Sequence, residues 1–159
     1  MRKLIILLSP EMFPFLMALN TTRIFYVDDD TDDRDLFERA VQTLDHAVLL
    51  FSMAEQMLSR MQDPPSGPSI VFMDLNMPKM NGYELLAAMR SNPNFNDIPI
   101  IILSTANDRL IIQKCWDRGA DLYVKKFSNF KEFARTIKAI TQIDWKNRKR
   151  VRENFVFNL

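Results

Sequence analysis

Four short groups of residues have types and spacing that suit chemistry at phosphorus. Asp28-Asp29-Asp30 directly follows the apolar run Ile24-Phe25-Tyr26-Val27. Asp74 follows Ile70-Val71-Phe72-Met73. Ser104-Thr105 follows a run ending at Leu103, and Lys125-Lys126 follows Leu122-Tyr123-Val124. Carboxylates gathered in one place repel unless a cation neutralises them. An all-oxygen set with no His or Cys beside it suits a hard divalent ion, Mg²⁺ rather than zinc. A carboxylate next to such an ion is a nucleophile toward phosphorus and yields an aspartyl phosphate. Transfer of the phosphoryl group also needs its equatorial oxygens neutralised. Lys126 suits that task, and the hydroxyl of Ser104 suits a hydrogen bond to the phosphoryl group. The sole histidine, His46, falls at the far end of the first predicted helix and reads as a surface or turn residue. Lys125 alternates to the opposite side of its strand and is left out of the site.

Taken singly, each group has a plain structural reading. An acidic pair after a strand is often a helix N-cap cluster, and a lone lysine after a strand is usually solvated. The order is what makes the set specific, because each group ends a successive strand. Chemistry in open α/β sheets sits at the carboxyl ends of the strands.

The elements that must position these groups are legible from periodicity. Strands are expected at Ile24–Val27, Ala47–Phe51, Ile70–Met73, Ile98–Leu103 and Leu122–Val124. Helical spacing links Leu36, Phe37, Ala40, Val41 and Leu44, and recurs through Glu55–Met61, Tyr83–Arg90 and Asp108–Arg118. A last amphipathic helix carries Phe130, Phe133, Ala134, Ile137 and Ile140. Gly119 stands where a helix C-terminus wants positive φ, Gly82 serves the turn before the third helix, and Asp30 reads as the N-cap of the first. Pro64-Pro65-Ser66-Gly67-Pro68 is a loop. Apolar strands alternating with helices predict βαβ units and a parallel sheet covered on both faces.

The 159 residues are the length of one domain, with a core that needs no staples. Twenty-one Lys and Arg balance 20 Asp and Glu, which gives no general pull toward nucleic acid or an anionic membrane. Cys115 alone cannot form an internal disulfide or a Cys-rich zinc site. Residues 1–20 form an apolar leader or arm with a basic start. Pro10 and Glu11 interrupt it, no small-residue cleavage site follows, and Met17 is an alternative start. The domain is expected over 21–144, and the tail over 145–159 is too short to be an output domain. The basic run Lys146–Arg152 reads as a solvated end, with no direct DNA binding. The fourth helix carries Leu110, Ile111, Ile112, Cys115 and Trp116, more apolar surface than one buried face requires. A core face and a surface for a partner or second copy are both compatible with it.

The motifs Val27-Asp28-Asp29, Phe72-Met73-Asp74-Leu75-Asn76-Met77-Pro78-Lys79-Met80-Asn81-Gly82, Pro99 to Ala106, and Gly119 to Lys126 resemble those of response regulator receiver domains. The chain looks most like the single-domain, chemotaxis-type members. The resemblance spans about Thr22 to Ile143 and implies a flavodoxin-like (βα)5 fold, a five-stranded parallel sheet of strand order 2-1-3-4-5. It implies Asp74 as phosphoacceptor. It implies Mg²⁺ held by Asp29, Asp74 and the backbone carbonyl of Asn76, with Asp28 acting through a bound water. Lys126 would pair with the phosphoryl group and, without it, with Asp74. Ser104 would swing toward the phosphate, and Tyr123 would follow as the switch aromatic. The implied partners are a sensor histidine kinase or a histidine phosphotransfer protein, and a downstream protein target. Self-association through the fourth helix, fifth strand and fifth helix is a further implication. The protein would be a cytoplasmic signalling protein without a membrane span, not an enzyme acting on other molecules. Ala106 offers no group to position an attacking water, which implies modest autodephosphorylation.

One departure stands out. The family usually has proline after the active-site lysine, in a cis peptide, and here Phe127 takes that place. A cis bond before a non-proline residue costs about 3 kcal/mol, so the bond is either cis and strained, or trans with a different lysine approach. This motivates an alternative, a phosphorylation-independent interaction module on the same fold. A third reading, an Asp-nucleophile phosphohydrolase, would use Asp28 as nucleophile and Asp30 as acid/base. It leaves Asp74, Ser104 and Lys126 without roles, and the chain has no room for a cap domain.

Overall fold

In the computed structural model, residues 21–44, 46–61 and 67–158 are described. The leader and most of the Pro64–Pro68 loop lie outside them. Five strands, β1 (Arg23–Val27), β2 (Ala47–Phe51), β3 (Ser69–Met73), β4 (Ile100–Ser104) and β5 (Leu122–Lys125), pair in parallel in the order β2-β1-β3-β4-β5. Five helices connect or follow them: α1 (Thr31–Val41), α2 (Ala54–Met61), α3 (Gly82–Arg90), α4 (Arg109–Asp117) and α5 (Phe130–Thr141). β3 is buried at all five positions and β4 likewise, which explains their unbroken apolar runs: both faces are covered.

The two faces sort by strand alternation. Ile24, Tyr26, Ile70, Phe72, Ile101 and Leu103 point to one side, where α1 brings Phe37, Ala40 and Val41, and α5 brings Phe133, Ile137 and Ile140. Phe25, Val27, Val71, Met73, Ile100 and Ile102 point to the other side. There they meet Met57 and Met61 of α2, Leu85, Leu86 and Met89 of α3, and Cys115 of α4. Among the described residues no helix is long and apolar enough to cross a membrane.

The punctuation works as its chemistry suggests. Asp30 caps α1 by accepting from the Asp32 and Asp33 amides. α4 ends in a Schellman motif: Gly119 (φ 90°) donates to Trp116 O at 3.0 Å, and Ala120 donates to Cys115 O at 3.1 Å. The fourth strand starts two residues later than expected, because Ile98 donates back to Phe95 O and closes a short turn first.

The tail departs more from expectation. Two residues of the basic run are docked, while Lys146 and Lys149 stay exposed. Arg148 donates to Asp121 O and Asn154 O, and Arg150 donates to Ala120 O and Trp116 O while stacking on the Trp116 ring at 3.6 Å. The carbonyls at the end of α4 are negative partial charges that attract the Arg150 guanidinium. Beyond it, Tyr123 donates to Phe155 O (2.8 Å) and Phe157 donates to Tyr123 O (2.9 Å), so the tail pairs with the outer edge of β5. Phe155 is fully buried against Trp116 and Tyr123. Part of the apolar surplus on α4 is thereby covered from within the chain, while Leu110 stays 79% exposed.

Candidate functional site

Each strand delivers one part of the site at its carboxyl end. Past β1, Asp28 is buried and its carboxylate is fully engaged. Oδ1 accepts from the Asp30 amide (3.0 Å), and Oδ2 accepts from the Tyr26 hydroxyl (2.5 Å) and the Lys126 ammonium (2.6 Å). Arg34 donates to the Asp28 backbone carbonyl at 2.6 Å. Tyr26 lies two residues earlier, hence on the same strand face, with its ring stacked on Phe37 at 4.2 Å. Burial, and then the charge of Asp28, push its phenol far above the ordinary value, so it stays a donor.

Past β3, the Asp74 amide donates to Val27 O (3.0 Å), which ties the residue to the end of β1. Its Oδ2 accepts from the Asn76 amide (2.5 Å), and its Oδ1 lies 2.9 Å from Lys126 Nζ. Gly82, the first residue of α3, is packed so close that an added Cβ would sit 2.2 Å from Asp74 O. Any side chain there would push Asp74 out of place, so Gly82 serves backbone approach as well as the turn.

One oxygen from each of Asp28, Asp29 and Asp74 lies within 4.8 Å of the others. Two of the three are buried, Asp29 is exposed, and all the donors are hard oxygens, a set that fits Mg²⁺ and leaves positions open for other oxygens. Asn76 meets the site through its amide.

Lys126 is the cation of the site. Its Nζ touches Asp28 (2.6 Å), Asp33 (2.7 Å) and Asp74 (2.9 Å). Burial alone would push the ammonium pKa down. Its hydrogen bonds to Asp28 and Asp33 and the charge of Asp74 outweigh that and hold it above the ordinary lysine value. The described residues contain no cis peptide, so the Lys126–Phe127 bond is trans, and the lysine reaches Asp74 all the same. Phe127 joins the core on the α1–α5 side. Lys125 is exposed, on the far side as alternation requires.

Ser104 and Tyr123 meet through a third residue. The buried Ser104 Oγ accepts from the Ala106 amide (3.2 Å), and the Tyr123 hydroxyl donates to the Ala106 carbonyl (3.0 Å). The Lys126 amide donates to Ser104 O at 2.8 Å, joining this pair to the lysine. Tyr123 is already buried.

The structure therefore brings Asp28, Asp29, Asp74, Asn76 and Lys126 together and couples Ser104 to Tyr123. Asp30 is occupied as a cap, which leaves it poorly placed as the acid/base of a hydrolase. His46 lies at the opposite end of the sheet, just before β2. Sequence reasoning missed Asp33 and Tyr26. Tyr26 was legible in principle from its two-residue spacing to Asp28. For Asp33 the signal was an acidic block facing a single lysine.

Comparison with known proteins points one way. The family model described as "Response regulator receiver domain" matches residues 24–138. A probable chemotaxis protein CheY of Rhizobium etli is 30% identical over 119 residues, which cover 74% of this chain and 91% of that protein. The phosphorylated cyanobacterial phytochrome response regulator RcpA superposes with a TM-score of 0.71 at 27% identity, covering 80% of this chain and 95% of its own. The Mn²⁺-bound form of the response regulator Rcp1 shares the fold, with a TM-score of 0.66 at 22% identity over 81% of this chain and 98% of that one.

Proposed function

This chain belongs to the family of response regulator receiver domains, signalling modules of two-component systems, and on that premise we propose that Asp74 accepts a phosphoryl group in a Mg²⁺-dependent step. The donor is the phosphohistidine of a sensor kinase or a histidine phosphotransfer protein. The observation that carries this reading is Lys126 bridging Asp28 and Asp74 beside a cluster of three carboxylates.

Asp29 and Asp74 would hold the Mg²⁺ directly, with Asn76 supplying a backbone oxygen and Asp28 acting through a bound water; the relative Rcp1 has a Mn²⁺-bound form. When bound, the ion offsets negative charge on the carboxylates and on the incoming phosphoryl oxygens. An Asp74 oxygen attacks phosphorus, the P–N bond breaks, and its electron pair stays on the imidazole, which takes a proton from water. Lys126 gives up its contact with Asp74 and donates to a phosphoryl oxygen instead. The Ser104 hydroxyl leaves the Ala106 amide to meet another. That frees Ala106, which Tyr123 also grips, so the charge event reaches the α4–β5–α5 surface. A downstream protein would read that surface. A second copy of the chain docking there would meet α4 and the docked tail, not a bare β5 edge. A cytoplasmic location fits the reading.

The trans bond at Phe127 leaves Lys126 in contact with Asp74, which favours a phosphoacceptor over a phosphorylation-independent module. The test is exposure to acetyl phosphate with Mg²⁺, read by intact mass. The wild type gains one acid-labile phosphoryl group only with Mg²⁺, and Asp74→Asn gains none. A wild type that takes up none, with Mg²⁺ bound and a cognate kinase also tried, would sink the reading.

A further inference from the structure

An ammonium group has three N–H donors and no more. In Lys126 two of them are bonded, to Asp28 and Asp33, and Asp74 lies 2.9 Å away as an ion pair; the three carboxylates differ in kind. Asp28 and Asp74 belong to the three-oxygen cluster, whereas Asp33 does not. Asp33 stands in the first turn of α1, its amide bonded to the capping Asp30 and its carboxylate aimed at Lys126. A divalent ion in the cluster would draw on Asp28 and Asp74, the same groups that hold the lysine, and would repel the ammonium. Lysine is a flexible point charge that leaves a site readily when its partners weaken. Of its three anions, only Asp33 keeps its full charge for Lys126 under those conditions.

We propose that Asp33 is a positioning residue: it anchors Lys126 over the site while a divalent ion shares Asp28 and Asp74. The inference rests on the receiver reading and adds a residue to it. Asp33 touches neither the cluster nor the reacting atoms, and acts through the lysine alone. The anchoring contact sits on α1, so the lysine is held from the helix as well as from its own strand.

The sign of the effect separates this role from a general electrostatic one. An acidic side chain acting only through its field would repel an incoming dianion, and its removal would speed uptake. Removal of an anchor slows it. In the full-length chain at saturating Mg²⁺, Asp33→Asn should take up phosphoryl from acetyl phosphate about three- to fivefold more slowly, the scale of one partly exposed ion pair. Asp33→Glu should recover most of the rate. In a Lys126→Ala background the same Asp33→Asn change should do nothing further, since the two act as a unit. A readout independent of transfer is the NMR signal of the Lys126 side chain. Adding Mg²⁺ should leave the wild-type lysine ordered and release it in Asp33→Asn. Unchanged or faster uptake in Asp33→Asn, an equal slowing in the Lys126→Ala background, or a lysine that stays ordered with Mg²⁺ would overturn the anchor. None of these would touch the phosphoacceptor reading, which falls if the wild type takes up no phosphoryl group or if Asp74→Asn takes one up.

Discussion

The sheet holds a partly buried cation at each end, and the two are built differently. At the amino ends of β4 and β5, Arg90 donates to Gly119 O (2.9 Å), Phe95 O and Ile98 O (both 3.1 Å) and Asp121 Oδ2 (2.7 Å). Asp121 accepts in turn from the Ile100 amide at 2.8 Å. Arg90 pairs with Asp121, and Arg148 and Arg150 lie near the same carboxylate, on Asp121 O and Ala120 O. At the carboxyl ends, Lys126 faces Asp28, Asp33 and Asp74, with Asp29 close by. The first network surrounds its one carboxylate with guanidiniums of the chain itself and fastens four segments of chain. The second is left with excess negative charge that the protein alone does not neutralise. A carboxylate whose cations the chain supplies asks for no metal; clustered carboxylates short of cations store repulsion that a metal ion relieves.

The largest effect that tests this contrast is at Arg90. Arg90→Leu strands Asp121 and three carbonyls, and should cost about 3 kcal/mol of stability in urea unfolding. A cost under about 1 kcal/mol would mean that this end is not a structural clamp. Next comes the metal. At ten times its dissociation constant, Mg²⁺ should stabilise the wild type by about 1.4 kcal/mol, visible as a higher melting temperature. The gain should vanish in Asp29→Asn and persist unchanged in Arg90→Leu. The smallest effect sharpens the contrast most. In metal-free protein, Asp74→Asn should raise stability by about 1 kcal/mol, because it relieves repulsion among the remaining carboxylates. A loss of stability would show that attraction to Lys126 already outweighs the repulsion.

Much of this fold was legible because its signals are local. A strand buried on both faces must be apolar throughout, and a helix resting on a sheet must repeat its apolar residues every three to four positions. So β3, β4 and α5 declare themselves. The acidic residues, Ser104 and Lys126 were legible because each follows a strand, and parallel strands all end at the same edge. The tail was not legible. Lys146–Arg152 is an ordinary basic run until Arg150 meets the carbonyls at the end of α4 and the Trp116 ring, a contact across 34 residues. Phe155 reads as a stray apolar residue until Tyr123 and Trp116 close around it.

The sequence by itself determined which residues could form the site and on which strand ends they stand, because alternation and strand order are properties of the backbone pattern. Only the tertiary structure decided how the charges divide. It carried Asp33 from the first turn of α1 to Lys126 and placed Tyr26 on Asp28. It also settled that Lys126 reaches Asp74 across a trans bond to Phe127. Those outcomes depend on distances of 2.5 to 2.9 Å between side chains up to 98 residues apart. Electrostatic and hydrogen-bond energies change steeply over such distances, and no pattern along the chain encodes them.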